Sequence, residues 1–216
     1  GECNNYPFVE YLAKKKKPII LSTGMNSISQ IEKSVSIIRK HKVPYALLHC
    51  TNGYPTPYNL VRLNCLKQLS TTFKDAVIGL SDHTVTNHTC FAAVALGAKI
   101  LERHFVDNKS RKGPDVICSM TPNELNDLIL GSKNIHSALK GKNKNITKEE
   151  KITARFAFGS VVATKYIRKG EKLTKKNIFT RRPGTGFFSA TDYQKILGKK
   201  AKKNINLNSQ LKRGDI

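Results

Sequence analysis

Two short segments hold the residue types best suited to chemistry. In GLSDHT (Gly79–Thr84), Ser81 and His83 are two positions apart, and in ILERHF (Ile100–Phe105) Glu102 and His104 have the same spacing. On an extended strand end such pairs point to one side. If the two strands are neighbours, two imidazoles converge at an open end and can hold a divalent ion with positions left for substrate. Imidazole with carboxylate, water and substrate oxygen suits Mn, Fe, Co or Zn, and an ion so held can polarise a carbonyl as a Lewis acid. Two hydrogen-bonded core histidines would show the same spacing, so spacing alone leaves both readings open. His49, in LLHCTN, also falls at a strand end, but alternation turns it away from Asn52 and makes it a packed, satisfied histidine. His41, His88 and His136 lie in helical patterns and read as surface or helix-face residues.

The elements that must position these residues repeat. Apolar runs of strand length occur at Pro18–Ser22, Tyr45–Cys50, Ala76–Leu80 and Lys99–Phe105. A helical pattern follows each. Ile28, Ile31, Val35 and Ile38 make the first, with Ser27 and Gln30 at capping-box spacing. Leu60, Leu63, Leu66 and Leu69 make the second, and Cys90–Leu96, closed by Gly97, the third. Thr121, Pro122 and Glu124 open the fourth, whose buried stripe would be Leu125, Leu128, Ile129, Ile135 and Leu139. Tyr6–Lys16 reads as one more helix ahead of the first strand. Alternation of this kind predicts an α/β fold with a parallel sheet. The candidates are an open doubly wound sheet and a (β/α)8 TIM barrel. No GxGxxG follows a strand, which weakens the dinucleotide-binding version. Polar residues close every strand, at Ser22-Thr23, Thr51-Asn52, Ser81-Asp82-His83 and Glu102-Arg103-His104, where a barrel places its active site. Four units make half a barrel, so the missing half is expected before Gly1.

Composition bounds the rest. The chain has 216 residues, 39% hydrophobic and 25% charged, the balance of a globular protein. No run approaches the ~18 apolar residues of a membrane span, and the opening GECNNYPFVEYLAKKKK has no apolar signal region. The first residue is Gly rather than Met, which suggests a piece of a longer product. Five scattered cysteines without a CxxC read as free thiols of a cytoplasmic protein. The net charge of +23 admits nucleic acid, a membrane surface or an anionic small substrate. The basic runs at Lys14–Lys17 and Lys199–Lys203 lack interleaved aromatics, so neither nucleic acid nor membrane is expected as a partner. Gly141–Lys151 is polar and charged and reads as a linker. Beyond it, Phe158–Ile216 has short apolar stretches and turn signals at Lys169-Gly170 and Pro183–Gly186, the style of a small β-rich module.

The runs STGMNS (Ser22–Ser27), LLHCTNGYPTPY (Leu47–Tyr58), IGLSDHT (Ile78–Thr84), ILERHF (Ile100–Phe105), GPDVICSM (Gly113–Met120) and RRPGTGFFS (Arg181–Ser189) together resemble, in order and spacing, the bacterial N-acetylneuraminate (sialic acid) synthase family. The resemblance covers essentially the whole chain. It implies the C-terminal half of a (β/α)8 TIM barrel over residues 1–140, a linker over 141–152 and a small antifreeze-like (SAF) domain over 153–216. It also implies a transferase that condenses phosphoenolpyruvate with open-chain N-acetylmannosamine and releases phosphate, as in capsule or lipooligosaccharide biosynthesis.

The resemblance further implies roles for matching positions. His83 and His104 would hold a divalent metal, Mn2+ before Mg2+ or Co2+, that polarises the sugar aldehyde while C3 of phosphoenolpyruvate attacks it. Glu2 would orient a water on that metal. Ser22, Asn52 and Ser81 would hold phosphoenolpyruvate, and Tyr54, Asp115 and Phe156 would line the sugar site. Arg182 would reach the N-acetyl group from the small domain of a second subunit, in a domain-swapped homodimer. Each position has a plainer reading. Ser22 could be satisfied by its own backbone, Asn52 and Asp115 could serve turns, Phe156 could be core, and Arg182 a solvated charge. Because the first barrel half is absent, the isolated piece is expected to be inactive. The nearest rival is a legionaminic or pseudaminic acid synthase acting on a diacetamido hexose. A rival of another class is a basic polyanion-binding protein, and an ice-binding module fits Arg182 poorly.

Overall fold

A computed structural model describes residues 1–141 and 143–216 of the chain. They form two compact units, Gly1–Lys142 and Asn143–Ile216. None of the described helices is long and apolar enough to cross a membrane.

The first unit runs α1 (Tyr6–Lys14), β1 (Ile19–Ser22), α2 (Ile28–Lys40), β2 (Tyr45–Cys50), α3 (Asn64–Thr72), β3 (Val77–Asp82), α4 (His88–Ala95), β4 (Ile100–Arg103) and α5 (Pro122–Ala138). The helices start where local chemistry meets their free N–H groups. Asn5 caps α1, and reciprocal capping boxes open α2 (Ser27 with Gln30) and α5 (Thr121 with Glu124). The strands pair in parallel in the order β1-β2-β3-β4. Alternation gives the sheet two different faces. One carries Ile19, Leu21, Tyr45, Leu47, Ile78, Leu80 and Leu101, which pack with Val35 and Ile38 of α2, Leu66 and Leu69 of α3, Ala93 of α4 and Leu128 of α5. The other carries Ile20, 59% exposed, and Val77, 44% exposed, and ends on the polar row Cys50, Ser81, Glu102. Gly79 lies on this second face, and a Cβ there would fall 2.4 Å from Leu48 Cδ2 and 2.5 Å from the Ile100 carbonyl oxygen. Hydrogen at that position lets β2, β3 and β4 close over one another.

Three sequence readings change. The leucine series expected as a helix from Leu60 gives a short 3-10 helix over Tyr58–Leu60 and an α-helix only from Asn64; between them Arg62 takes a left-handed backbone (φ 57°), and Leu60 is 50% exposed. The stripe of α5 is buried only at Leu128, and Ile129 and Leu139 stand exposed. The polar stretch read as a linker over 141–152 contains the start of a helix, α6 (Lys148–Ala157), because Thr147 and Glu150 form a capping box.

The second unit holds α6 and a two-stranded antiparallel sheet, β5 (Ser160–Ala163) with β6 (Ile178–Arg181), followed by the single turn α7 (Tyr193–Ile196). Val161, Ala163, Ile167, Leu173, Ile178, Ile205 and Leu211 make its core. Short bridges such as Val162 with Gln210 and Ile167 with Ile205 fold the remaining chain around it. Gly170 turns with φ 85°, as the Lys169-Gly170 signal anticipates.

Candidate metal and substrate site

His83 follows the last residue of β3 and His104 the last residue of β4, and the register pairs Asp82 with Arg103, so the two histidines leave neighbouring strands side by side. Their ring centroids are 5.2 Å apart at 63°. Tyr54, on the loop after β2, completes a triangle of rings, 4.2 Å from His83 at 32° and 5.8 Å from His104 at 85°. Asp115 Oδ2 lies 3.6 Å from His104 Nδ1. The loop carrying Tyr54 is tied to His83 by the buried Thr56, whose N–H donates to the His83 carbonyl (2.9 Å) and whose hydroxyl donates to the Thr51 carbonyl (3.0 Å). The Tyr54–Pro55 peptide bond is cis.

Cys50 lies beside this triangle, on the same sheet face as Ser81. Its Sγ is 3.9 Å from His83 Nδ1 and 3.6 Å from Asn52 Oδ1. Burial raises the thiol pKa, but His83, Ser22 and Ser81 around the sulfur outweigh it, and the net shift is downward. The same contact, more than the Thr51 carbonyl and against burial, pushes His83 upward. Partial burial, with Cys50 and Asp115 nearby, pushes the Tyr54 phenol up. Ser22 therefore shares a cluster with Cys50, Asn52 and Ser81. Asn52 rests on the backbone of Gly24, where a Cβ would fall 1.8 Å from Asn52 Oδ1. Ser81 donates to Glu102 Oε1 at 2.9 Å.

The donor set fits part of a divalent site. His83 Nδ1 lies 3.0 Å from the Thr51 carbonyl, an acceptor only, so in the neutral ring Nδ1 carries the proton and Nε2 keeps its lone pair. The Asp115 carboxylate stands 3.6 Å from His104 Nδ1, close enough for charge but beyond a hydrogen bond. Among the described residues no group of three or more His, Cys, Asp or Glu side chains is arranged to hold a metal. An ion held by the two imidazoles would take its other positions from water and substrate oxygen.

The other expected site residues belong to other elements. Glu2 is in the first short 3-10 helix, where its carboxylate accepts from Asn5 (2.7 Å). Phe156, 61% exposed, and Arg182 belong to the second unit. There the Gly184 N–H donates to the Arg155 carbonyl (3.1 Å), which brings the Arg182 turn to the end of α6. The sequence reading missed Cys50, although its two-residue spacing from Asn52 was visible. It also missed the buried pair Asp82–Arg103. His49 is packed as expected, with Nε2 2.7 Å from the Val61 carbonyl and a pKa lowered chiefly by burial. All five cysteines are free thiols.

Known proteins agree with this architecture. The NeuB family profile matches residues 1–144 and the SAF domain profile residues 158–216. The N,N'-diacetyllegionaminic acid synthase of Campylobacter jejuni is 40% identical over 94% of this chain and 61% of its own length. The pseudaminic acid synthase of the same species is 35% identical over 99% of this chain and 62% of its own. The crystal structure of the N-acetylneuraminic acid (sialic acid) synthetase of Leptospira borgpetersenii superposes with a TM-score of 0.66 at 32% identity, over 70% of this chain and 53% of the other. The chain thus spans about three fifths of the length of these curated relatives. With the profile covering most of its residues, from the first short helix past the end of α5, the chain belongs to the NeuB family.

Proposed function

We propose that this chain supplies the C-terminal half of a (β/α)8 barrel and the SAF domain of a synthase that condenses phosphoenolpyruvate with an N-acylated amino sugar, giving a sugar acid and phosphate. One observation carries this reading: the ring triangle Tyr54–His83–His104 beside Asp115, at the C-terminal ends of neighbouring parallel strands. The half-exposed second face of the sheet, with Ile20 and Val77, supports closure by further strands.

His83 and His104 would hold the metal, Mn2+ before Mg2+ or Co2+. When bound, such an ion supplies Lewis-acid polarisation of the sugar aldehyde. The Thr51 carbonyl keeps His83 in the tautomer that presents Nε2. Ser22, Asn52 and Ser81 offer hydroxyl and amide donors to the anionic phosphoenolpyruvate. Tyr54 offers a ring face and Asp115 a carboxylate to the sugar. Glu2 would orient a water at the metal. Phe156 and Arg182 would meet the sugar from the second unit of the other subunit, in a domain-swapped homodimer.

N-acetylmannosamine is the sugar of the first reading, with N-acetylneuraminate as product. The 40% identity to a legionaminic acid synthase favours a second, in which the sugar is a diacetamido hexose. Phosphate release by the protein as its gene encodes it, with Mn2+ and each sugar in turn, tests both. Turnover with N-acetylmannosamine alone supports the first, and turnover with the diacetamido sugar alone supports the second. No metal-dependent release with either sugar overturns the synthase reading.

A further inference from the structure

A guanidinium stays ionised in a protein, yet the Arg103 side chain is only 2% exposed and that of Asp82 beside it 1%. Burial of such a group is costly unless its donors are met. Nη1 donates to Asn87 Oδ1 (2.6 Å) and Nη2 to the carbonyls of Thr84 (2.5 Å) and Cys118 (3.3 Å), while Nε is paired with Asp82 Oδ2 by charge at 3.3 Å and makes no hydrogen bond. These partners have a common property. Asp82 and Thr84 flank His83 in the chain, and Arg103 itself precedes His104. Cys118 belongs to the segment that carries Asp115 and whose Met120 N–H donates to the His104 carbonyl (2.8 Å). Asn87 extends the hold to α5, donating to the Glu124 carbonyl (2.8 Å) and to Asp127 Oδ2 (2.9 Å).

We propose that Arg103 is a positioning residue which, from the helix-facing side of the sheet, sets the separation and aim of His83 and His104 on the other side. The importance of that aim rests on reading the two histidines as a donor pair. One planar fork holds the residue before His83, the residue after it and the segment that binds the His104 backbone. A lysine has a single nitrogen and cannot span these points at once. Loss of the fork frees the two strand ends to move independently, and the rings with them.

The test uses the full chain with Arg103→Lys, Arg103→Met and Asn87→Ala, each checked for folding by circular dichroism. At one fixed pH, two-bond 1H–15N NMR signals of the imidazoles report ring environment without any metal, and electron paramagnetic resonance of free Mn2+ reports binding. In folded Arg103→Lys, the His83 and His104 signals shift while those of His41 and His136 stay, and Mn2+ affinity falls about 10- to 100-fold, the range for partners behind metal ligands. Asn87→Ala, which removes one acceptor, gives a smaller shift of the same two signals. If Arg103→Met fails to fold, the other two variants decide. Unmoved His83 and His104 signals in a folded Arg103 variant overturn the proposal. Moved signals in a chain that binds no Mn2+ before substitution sink the donor-pair reading and leave the positioning role standing.

Discussion

The His83 ring stands 5.2 Å from the His104 ring, centroid to centroid, although 20 residues of chain, a helix and a strand lie between them in sequence. Parallel pairing of β3 with β4 makes them neighbours, and the Thr51 carbonyl and Asp115 carboxylate stand behind them on their Nδ1 sides. Under the synthase reading proposed above, these would be two ligands with outer partners. His83→Ala and His104→Ala should each lower Mn2+ affinity by more than ~100-fold and, in the protein as its gene encodes it, remove metal-dependent phosphate release. Asp115→Asn should cost about 10-fold in affinity, because it acts through His104. Equal Mn2+ binding by His83→Ala and the unaltered protein would mean that the rings are packed core histidines instead.

Tyr54 presents its ring to His83 at 4.2 Å and its edge geometry to His104 at 5.8 Å, while remaining 46% exposed. An aromatic pair contributes ~0.5–1.5 kcal/mol beyond its area. Tyr54→Phe keeps the ring and should leave Mn2+ affinity nearly unchanged. Tyr54→Ala removes it and should weaken Mn2+ binding several-fold, up to about 10-fold. A loss in Tyr54→Phe equal to that in Tyr54→Ala would assign the role to the hydroxyl instead of the ring.

Much of the first unit was legible because local and global signals coincide. Ser27 with Gln30 and Thr121 with Glu124 announce α2 and α5, and the apolar runs announce the strands. The histidine pair was legible as a possibility, since its spacing fixes a face but not a neighbour. What escaped depends on register or on context. Asp82 and Arg103 sit among the polar residues that close β3 and β4, and only the register of the two strands shows that they meet. Cys50 ends an apolar run and reads as core until the fold turns it toward His83. The capping box of Thr147 and Glu150 is masked by the charged residues around it, yet it starts α6. The late start of α3 follows from the left-handed backbone of Arg62, which a leucine count does not register.

Gly79 offers a test of the sheet itself. A methyl group there would meet Leu48 Cδ2 at 2.4 Å and the Ile100 carbonyl at 2.5 Å. One of these is main chain and cannot swing aside. Gly79→Ala should therefore destabilise the first unit by ~1–3 kcal/mol, as overpacking does, and lower Tm by roughly 2–10 °C. An unchanged Tm by differential scanning calorimetry would show that β3 and β4 lie further apart than described.

Acid sensitivity has an identifiable contributor away from the site. Arg39 Nε donates to Asp75 Oδ2 at 3.0 Å, and the Arg39 hydrogen bond is the main reason the Asp75 carboxyl falls to about 2. An unfolded aspartate titrates near ~3.9, so the folded value is the lower one. The pair therefore stabilises fully above about pH 4 and loses its effect as pH falls toward about 2. The Asp75 side chain is 52% exposed, so screening limits the contribution to ~0.5 kcal/mol. Asp75→Asn should lower Tm by about 1–2 °C at neutral pH and low salt, with most of the deficit gone by about pH 2 and the effect reduced in ~1 M salt. A deficit that persists at pH 2 would mean that the amide disturbs packing and not charge.

Arg182 is exposed, but the turn that follows it is firmly held. Ser160 Oγ donates to the Pro183 carbonyl (2.8 Å) and accepts from the Gly186 N–H (2.8 Å), while Gln210 Nε2 donates to the same Pro183 carbonyl (3.0 Å). Side chains in place of Gly184 or Gly186 would strike Phe158 Cβ at 2.8 Å or Ser160 Cβ at 2.7 Å. The pinned turn removes the backbone share of the ordering cost and leaves the side-chain share, so under the proposed function Arg182 can reach a polar group of the sugar without reordering its loop. Hydrogen bonds from a charged donor contribute ~1.5–3 kcal/mol. Arg182→Ala should then raise KM for the sugar about 10- to 100-fold, leave KM for phosphoenolpyruvate unchanged and leave Tm within about 1 °C. Arg182→Lys should recover part of the loss, because charge returns without the planar fork. If the contact forms in the ground state and persists in the transition state, kcat stays level while kcat/KM falls. A Tm loss in Arg182→Ala with both KM values intact would make Arg182 a structural residue of its own turn.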